Sequence, residues 1–225
     1  MRIALPHAWP RTPEEAVALQ DSLRPRVRAE TVGTPRFATA AGIDSAYAED
    51  GSVAAAAVIL DTATLSTVET AVAHGISDFP YVPGLLAFRE LPATIAALEK
   101  LTGTPDLLVC DAQGIAHPRR FGLACHVGVL TGIPTIGVAK SVWGEYAAPG
   151  PRRGDSSEVT IDGAVVGRAL RTRDGVKPLF VSVGHLIDLD TACAQVLALT
   201  NGFRQPETTR AADRLCRAAL RAATS

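Results

Sequence analysis

The sequence predicts an α/β fold with a central mixed sheet, whose five core strands run in the order 3-2-1-4-5. Three apolar segments at hairpin spacing, 36–47, 52–60 and 65–73, predict an antiparallel meander. After them, apolar segments of helix and strand length alternate, with strands at 107–110 and 135–139. The simplest sheet then pairs the fourth strand parallel to the first, with helices on its flanks.

The remaining segments supply the flanking helices and an extra hairpin. Thr12, Pro13 and Glu15 have the spacing of a helix start, with an N-cap threonine and a glutamate three positions later. This first helix is expected to end near Arg24. Further helices are expected at 85–100, 121–130, 189–200 and 208–222, a hairpin at 158–161 and 165–171, and a strand at 177–183. Segments 78–84 and 143–155 are rich in Pro and Gly and are expected to be irregular.

Composition indicates a globular chain, with one domain expected over residues 1–225. Apolar residues make up 47% of it and charged residues 20%. No apolar run reaches the length of a membrane span, and the N-terminus lacks the apolar core of a signal peptide. The four cysteines contain no C-x-x-C pair, which favours reduced thiols over a zinc site or disulfides. We therefore expect a cytoplasmic protein without a membrane partner.

The charge distribution is a weak indicator of function. The net charge is −1, so the whole chain lacks the basic footprint typical of nucleic-acid binding. Residues 1–150 carry 15 acidic against 11 basic side chains, whereas residues 151–225 carry 8 against 11. A mildly basic C-terminal part is compatible with a polyanion on one face, but many ordinary enzymes share this property.

Charged residues follow the two central strands at the point where each strand ends. Asp111 follows the strand at 107–110 and Lys140 follows the strand at 135–139. Ligands of open α/β sheets bind at the carboxyl ends of strands. Asp44 lies in the first strand, which is expected beside the fourth, and Glu90 lies in the first turns of the helix at 85–100. Each acid also has a structural alternative: a turn cap for Asp111, a salt bridge for Asp44 and a helix cap for Glu90.

Three carboxylates in or beside apolar elements are costly unless they are paired or hold a metal. Oxygen ligands without histidine or cysteine favour Mg²⁺, with Mn²⁺ able to substitute, over zinc. Two such ions can clamp a scissile phosphate. The sequence thus predicts a carboxylate metal centre.

Several motifs make the chain similar to the endonuclease V family. They are AGIDSAY at 41–47, FPYVPGLLAFRE at 79–90, DAQGIAHPRRFGLACHVGVL at 111–130, IPTIGVAKS at 133–141, KPLFVSVGH at 177–185 and FRQPETTRAADRL at 203–215. They occur in the family's order and cover most of the chain. The resemblance implies a ribonuclease H-like fold and a Mg²⁺-dependent repair endonuclease that recognises deoxyinosine in DNA. It further implies cleavage at the second phosphodiester bond 3′ to the lesion, leaving 3′-hydroxyl and 5′-phosphate ends.

The resemblance also assigns roles to individual residues. Asp44, Glu90, Asp111 and Asp213 match the metal ligands, with Lys140 beside them as a further catalytic group. Tyr81 matches an aromatic wedge that fills the gap left by a base leaving the stack, although a loop anchor is the alternative role for this tyrosine. The residues matching the remaining DNA-binding positions are Pro83, Gly84, Gln113, Gly114, Ile115 and His117. His185 matches a motif histidine, but a structural role is favoured for it.

Two positions depart from the family pattern. Ala112 stands where glycine is usual, and it crowds the base pocket if the backbone there must be left-handed or approach the base. Val183 replaces a usual proline and is expected to loosen its turn. Neither change removes a catalytic group.

The expected substrate is therefore damaged DNA containing deoxyinosine. Inosine-containing RNA stays open as a second substrate, because the family includes members that prefer it. Two rival functions stay open as well: a non-catalytic inosine-binding module, and a junction-resolving nuclease on the same fold. Nothing in the sequence indicates protein partners.

Overall fold

The computed structural model describes residues 2–3, 7–31, 33 and 36–224. Within these ranges the strands are β1 (Thr39–Tyr47), β2 (Ser52–Asp61), β3 (Thr67–Ile76), β4 (Leu107–Cys110), β5 (Thr135–Ala139), β6 (Glu145–Tyr146), β7 (Ser156–Ile161), β8 (Ala164–Leu170) and β9 (Leu179–His185). The helices are α1 (Pro13–Leu23), α2 (Ala87–Glu99), α3 (Leu123–Thr131), α4 (Leu189–Ala198) and α5 (Glu207–Thr224), and a 3₁₀ turn (Arg24–Arg26) follows α1.

The predicted order of the five core strands is confirmed. β2 pairs antiparallel with both β1 and β3, while β4 lies parallel between β1 and β5. In the β1–β4 register, Ile43 lies opposite Cys110, so Asp44 and Asp111 follow on adjacent strands. The parallel pairing therefore brings the first two acids to the same edge of the sheet.

The sheet extends well beyond this core. β9 pairs antiparallel with β5, and β8, β7 and β6 continue the sheet to nine strands. The predicted hairpin is thus part of the main sheet. The prediction that 143–155 is entirely irregular is wrong for Glu145 and Tyr146, which pair with Thr160 and Val159. Two residues are too few to show an alternating pattern, so only the partner strand reveals β6.

Several strand boundaries also differ from the sequence prediction, most clearly those of β1 and β3. β1 begins at Thr39 rather than at residue 36. The backbone NH of Thr39 donates to the Asp106 carboxylate at 2.9 Å. β3 begins at Thr67 rather than residue 65, because Leu65 has a left-handed φ of 58° that a strand cannot contain. β3 also continues to Ile76, because β2 offers it a partner as far as Ser52.

The helices cover both faces of the sheet, and alternate residues of each strand face opposite layers. Ile43 faces a core shared with α2 and α3. On the other face, Val58 and Leu60 of β2 pack against Ala212 of α5. Gly42 lies directly beneath the start of α5, where a Cβ would come within 2.0 Å of the Thr208 carbonyl oxygen. The close approach of α5 to β1 thus depends on this glycine.

Helix α1 supports the irregular segment that precedes α2. The predicted N-cap is confirmed, since Thr12 Oγ1 accepts the Glu15 NH at 3.3 Å. Ala16 packs in a cluster with Phe79, Leu85 and Phe88. α1 therefore packs against both ends of the 79–85 segment.

Two composition-based expectations concern partners and redox state. In the described ranges, no helix has both the length and the apolarity needed to cross a membrane. All four cysteines are free thiols, as predicted.

Candidate active site

Two carboxylates meet where β1 and β4 lie side by side. The Asp111 NH donates to the Ile43 carbonyl at 3.3 Å, which continues the parallel ladder to the end of β4. Asp44 is partly buried, and among the described residues its carboxylate accepts one hydrogen bond, from the Ser45 NH at 2.8 Å. Backbone register, rather than loop geometry, therefore sets the position of this pair.

Like charges and burial make Asp44 reluctant to ionise. Burial, and next the negative charge of Asp111, raise the pKa of Asp44 to about 7. Asp213 on α5 raises this pKa further, whereas the Ser45 hydrogen bond and the Lys140 charge lower it. These interactions place Asp213 and Lys140 within electrostatic reach of Asp44.

Glu90 adds a third carboxylate from the first turn of α2. Burial raises its pKa to about 8, and the charges of Asp44 and Asp111 act in the same direction. Tyr47 at the end of β1 lies beside it, and the buried tyrosine hydroxyl acts in the opposite direction by lowering the pKa of Glu90. Asp44 and Glu90, with the charge of Asp111 nearby, thus form a group in which a bound proton or cation is favoured at neutral pH.

Asp111 and Asp213 are both engaged by cations of the chain itself. Lys140 Nζ lies 2.5 Å from Asp111 Oδ2, and the Asp111 side chain is only 8% exposed. Gln205 Nε2 approaches the same oxygen at 3.4 Å. Asp213 accepts from Arg217 Nε at 2.6 Å, one turn along α5.

The segment from Tyr81 to Gly84 presents an aromatic ring on a tight turn. The Leu85 NH donates to the Val82 carbonyl at 2.9 Å, with Pro83 and Gly84 as the central residues. Gly84 has φ +80°, and this pattern matches a type II turn. Tyr81, which precedes the turn, is 73% exposed, so its ring is available to a ligand.

His117 lies beneath this turn and is only 4% exposed. Its Nε2 lies 3.0 Å from the Gly84 carbonyl oxygen, and its Nδ1 lies 3.2 Å from the backbone nitrogen of Arg119. Burial, and then the Arg119 charge, lower its pKa to about 4. The structure thus places a neutral imidazole against the protein's own turn, and its predicted contact with DNA stays a prediction.

A cavity of about 370 Å³ lies between the turn and the loop that follows β4. Tyr81, Pro83, Gly84, Gln113 and His117, all of which the sequence assigns to DNA binding, line it together. Gly114 and Ile115, which were expected in the same pocket, are not among its lining residues.

Gly114 packs against the sheet instead. Its NH donates to Ser182 Oγ at 2.8 Å, and a Cβ on it would lie 2.0 Å from the Val183 carbonyl oxygen. The Ile115 NH donates to that carbonyl at 2.8 Å. Val183 lies inside β9, so the predicted loose turn at this position is wrong. Strand pairing, not a proline, fixes the backbone there.

Most of the chain is similar to proteins of one known family. The family model for endonuclease V matches residues 21–214. A curated endonuclease V from Nocardia farcinica is 70% identical over 220 residues, covering 97% of each chain. The chain belongs to the endonuclease V family.

Solved structures of the endonuclease V family share this fold. The crystal structure of endonuclease V from Streptomyces avermitilis is 56% identical and superposes with a TM-score of 0.93 over 98% of each chain. Endonuclease V from Ciona intestinalis, 26% identical, was solved with a DNA 24-mer containing an inosine followed by a ribo-adenosine. Its TM-score is 0.82, over 92% of this chain and 97% of that chain. Membership of the family makes this chain an endonuclease.

The carboxylates of this endonuclease V fit a divalent cation in chemistry and charge. Their donors are all carboxylate oxygens, which hard cations prefer, and burial together with neighbouring negative charge raises the pKa values of Asp44 and Glu90. In the described part of the chain, however, no group of three His, Cys, Asp or Glu side chains is arranged to hold a metal. A cation at Asp111 would compete with the Lys140 ion pair.

Sequence reasoning missed several residues of the site. Trp143 lines the cavity and is 38% exposed, yet its segment was treated as a loop. Its position two residues after Ser141, at the end of a family motif, was the available signal. Gln20 lies in α1, outside every motif, and no local signal identifies it. Ala112 lines the cavity without a left-handed φ, so its backbone is unstrained.

Proposed function

We propose that this endonuclease V recognises deoxyinosine in DNA and cuts the second phosphodiester bond 3′ to it, leaving 3′-hydroxyl and 5′-phosphate ends. The observation that carries the proposal is the juxtaposition at one sheet edge of the coupled carboxylates with an exposed tyrosine and a cavity. The inosine-containing DNA bound by the Ciona relative supports the choice of substrate.

Mg²⁺ is the proposed cofactor, with Mn²⁺ as a substitute, and Asp44, Glu90, Asp111 and Asp213 are the residues proposed to hold it. When bound, the cation supplies charge neutralisation at the phosphate and activation of water. Coulombic repulsion among the carboxylates supports this assignment, because the raised pKa values of Asp44 and Glu90 fall toward normal when a positive charge is present.

Lys140 is proposed to stabilise negative charge on the scissile phosphate or the leaving oxygen. It lies at the end of β5 with 49% of its side chain exposed, and Asp111 orients its ammonium group. A flexible, exposed ammonium is suited to contact a phosphate oxygen as a point charge.

Recognition is assigned to the turn and the cavity. Tyr81 is proposed to fill the space left in the stack, because its ring is exposed and its backbone is held by the Pro83–Gly84 turn. The cavity volume suits a single base, and Gln113 contributes an amide to its wall. The cavity and Tyr81 adjoin each other, as removal of one base from the stack requires.

The test is a cleavage assay on a duplex with one deoxyinosine, labelled at either end of the damaged strand. With Mg²⁺ we expect one nick at the second bond 3′ to inosine and no cut in the matched undamaged duplex. A cut at another bond overturns the proposed position, and inertness with both Mg²⁺ and Mn²⁺ overturns the proposed activity.

Parallel substrates separate the remaining alternatives. A single-stranded RNA with one inosine tests the second substrate, and a four-way junction tests the junction-resolving function. Binding of the inosine duplex without cleavage of any substrate favours the non-catalytic module.

A further inference from the structure

Three donors converge on the backbone carbonyl of Gly84, the residue that closes the tyrosine-bearing turn. Arg119 Nη2 lies 2.7 Å from this oxygen, His117 Nε2 lies 3.0 Å away and Gln20 Nε2 lies 3.1 Å away. A carbonyl oxygen has two lone pairs, so three donors saturate it. Gly84 allows this approach, because a Cβ in its place would lie 2.7 Å from Arg119 Nη2.

The side chain of Gln20 forms hydrogen bonds with Gly84, Arg119 and Phe121. Its amide is fully buried, and Nε2 also donates to the Phe121 carbonyl at 3.0 Å. Its Oε1 accepts from Arg119 Nε at 2.5 Å. One side chain of α1 thus connects the turn, the guanidinium of Arg119 and the chain just before α3.

The tautomer of His117 follows from its neighbours. The Arg119 NH points at Nδ1 at 3.2 Å, so Nδ1 must accept. The single proton of the neutral ring is then on Nε2, which donates to the Gly84 carbonyl. All three contacts with this oxygen are therefore hydrogen bonds from donors.

We propose that Gln20, acting with Arg119 and His117, is a positioning residue that sets the geometry of the Tyr81 turn for lesion recognition. This inference rests on the proposed function, since it concerns how the turn meets a damaged duplex. Gln20 borders the cavity, but in the described residues its side chain makes no hydrogen bond to a carboxylate. It acts through the Gly84 carbonyl. Its loss should weaken recognition while leaving the chemistry of the carboxylates unchanged.

The physical reason is the cost of an unsatisfied buried group. Without Gln20, the Phe121 carbonyl and the Arg119 Nε lose buried partners, and the Gly84 carbonyl loses one of three. The turn then gains alternative conformations, and each of them misplaces a ring that must enter a gap one base wide. Simple core packing predicts instead a uniform loss of stability with no change in recognition.

The experiment compares Gln20→Met with Gln195→Met, the same chemical change on α4. The side chain of Gln195 makes no hydrogen bond to another described residue, which makes it a matched control. Hydrogen exchange of the free, metal-free protein is measured by mass spectrometry over residues 79–86. We expect exchange there to accelerate about tenfold in Gln20→Met, the effect of losing the three hydrogen bonds of the Gln20 amide, and to be unchanged in Gln195→Met.

Recognition is then measured in EDTA with an inosine duplex carrying 2-aminopurine next to the lesion. Gln20→Met should reduce the fluorescence gain on binding and lower the preference for inosine over undamaged duplex about tenfold. In Mg²⁺, KM should rise more than kcat falls, and the pH profile of kcat should not move. A shifted pH profile, or unchanged exchange and preference, overturns the proposal.

Two further controls complete the design. If Gln20→Met does not fold, Arg119→Lys tests the same contacts, since it keeps the charge but loses the two-nitrogen geometry toward Gln20 and Gly84. Wild-type protein that fails to bind or cut the inosine duplex contradicts the proposed function, whereas the exchange measurement in the free protein still decides whether Gln20 holds the turn.

Discussion

The carboxylate group and the tyrosine turn are stabilised in opposite ways. Asp44, Glu90 and Asp111 are fixed by strand register and a helix, yet burial and neighbouring negative charge oppose the ionisation of Asp44 and Glu90. The Gly84 carbonyl in the turn has donors in excess. The first region therefore responds to pH and to cations, whereas the second depends on geometry alone. Variants that affect only one region test this separation.

The largest separation is expected from Asp44→Asn. It removes a proposed metal ligand while keeping the size and position of the side chain. Cleavage of an inosine duplex should therefore fall by more than about 100-fold, which exceeds the loss typical of substituting a residue that only hydrogen-bonds to a metal ligand. Affinity for the same duplex in EDTA should stay within a few fold, because the turn and cavity are untouched. Titration by fluorescence anisotropy beside a gel assay measures both quantities. Equal losses of binding and cleavage would show that the two regions are not separable.

The next largest effect is the dependence of stability on pH without metal. The folded-state pKa values of Asp44, about 7, and Glu90, about 8, lie above the ordinary values of 3.8 and 4.5 for these side chains. Between those limits the folded state binds more protons than the unfolded state, so the free energy of unfolding falls as pH rises from about 4 to about 8. For Asp44 the change is roughly 2–4 kcal/mol, discounted for its partial exposure.

Urea denaturation in EDTA at several pH values measures this slope. Asp44→Asn should flatten it, and Mg²⁺ should reduce it in the wild type by supplying positive charge. A slope that is the same in Asp44→Asn would assign the effect to other groups.

A smaller effect, confined to the second region, is expected from Tyr81→Ala. Stacking of an aromatic ring on a base contributes about 1–3 kcal/mol, so affinity for the inosine duplex should weaken about 10- to 100-fold. The ring is 73% exposed, and the melting temperature should therefore stay unchanged. Tyr81→Phe is the matched control and should bind like the wild type. Loss of stability in Tyr81→Ala would favour the loop-anchor role.

The smallest effect is expected from Ala112→Gly. Removing a methyl group from the cavity wall should change affinity for inosine by less than about fivefold, a difference within about 1 kcal/mol. Because the alanine φ is already compatible with an L residue, glycine should lower the free energy of unfolding by about 0.4–1 kcal/mol through chain entropy. Calorimetry and binding titration measure the two effects. A large gain in affinity would show that Ala112 crowds the pocket.

Local sequence patterns predicted the short strands of the sheet but not how far the sheet extends. The bounds of β4 and β5 matched the expected ranges, because both are short, continuous apolar runs. The placement of Asp44 beside Asp111 followed from the expected parallel pairing. Extension of the sheet through β9 and β6 was missed, because strand pairing is a non-local property.

In the candidate site, too, sequence patterns missed the contacts between residues that are far apart in the chain. Residues within motifs, such as Tyr81 and Asp111, were identified with a function, although that function remains a prediction. Gln20 was missed because its partners Gly84 and Phe121 lie 64 and 101 residues away in the chain. His117 was predicted to bind DNA, whereas its contacts with Gly84 and Arg119 could not be predicted, because they exist only in the folded turn.

The close packing of α5 on Gly42 has a consequence for synthesis of the chain. β1 and β2 are complete once residue 61 has been translated, but Val58 and Leu60 gain their cover only from a helix that begins at Glu207. A ribosome makes the chain from the N-terminus, so this apolar face must wait uncovered for most of translation. The same helix carries Asp213, and the full set of carboxylates is therefore assembled only when the last part of the chain docks. A nascent or C-terminally truncated chain thus has neither a covered sheet nor a complete set of carboxylates.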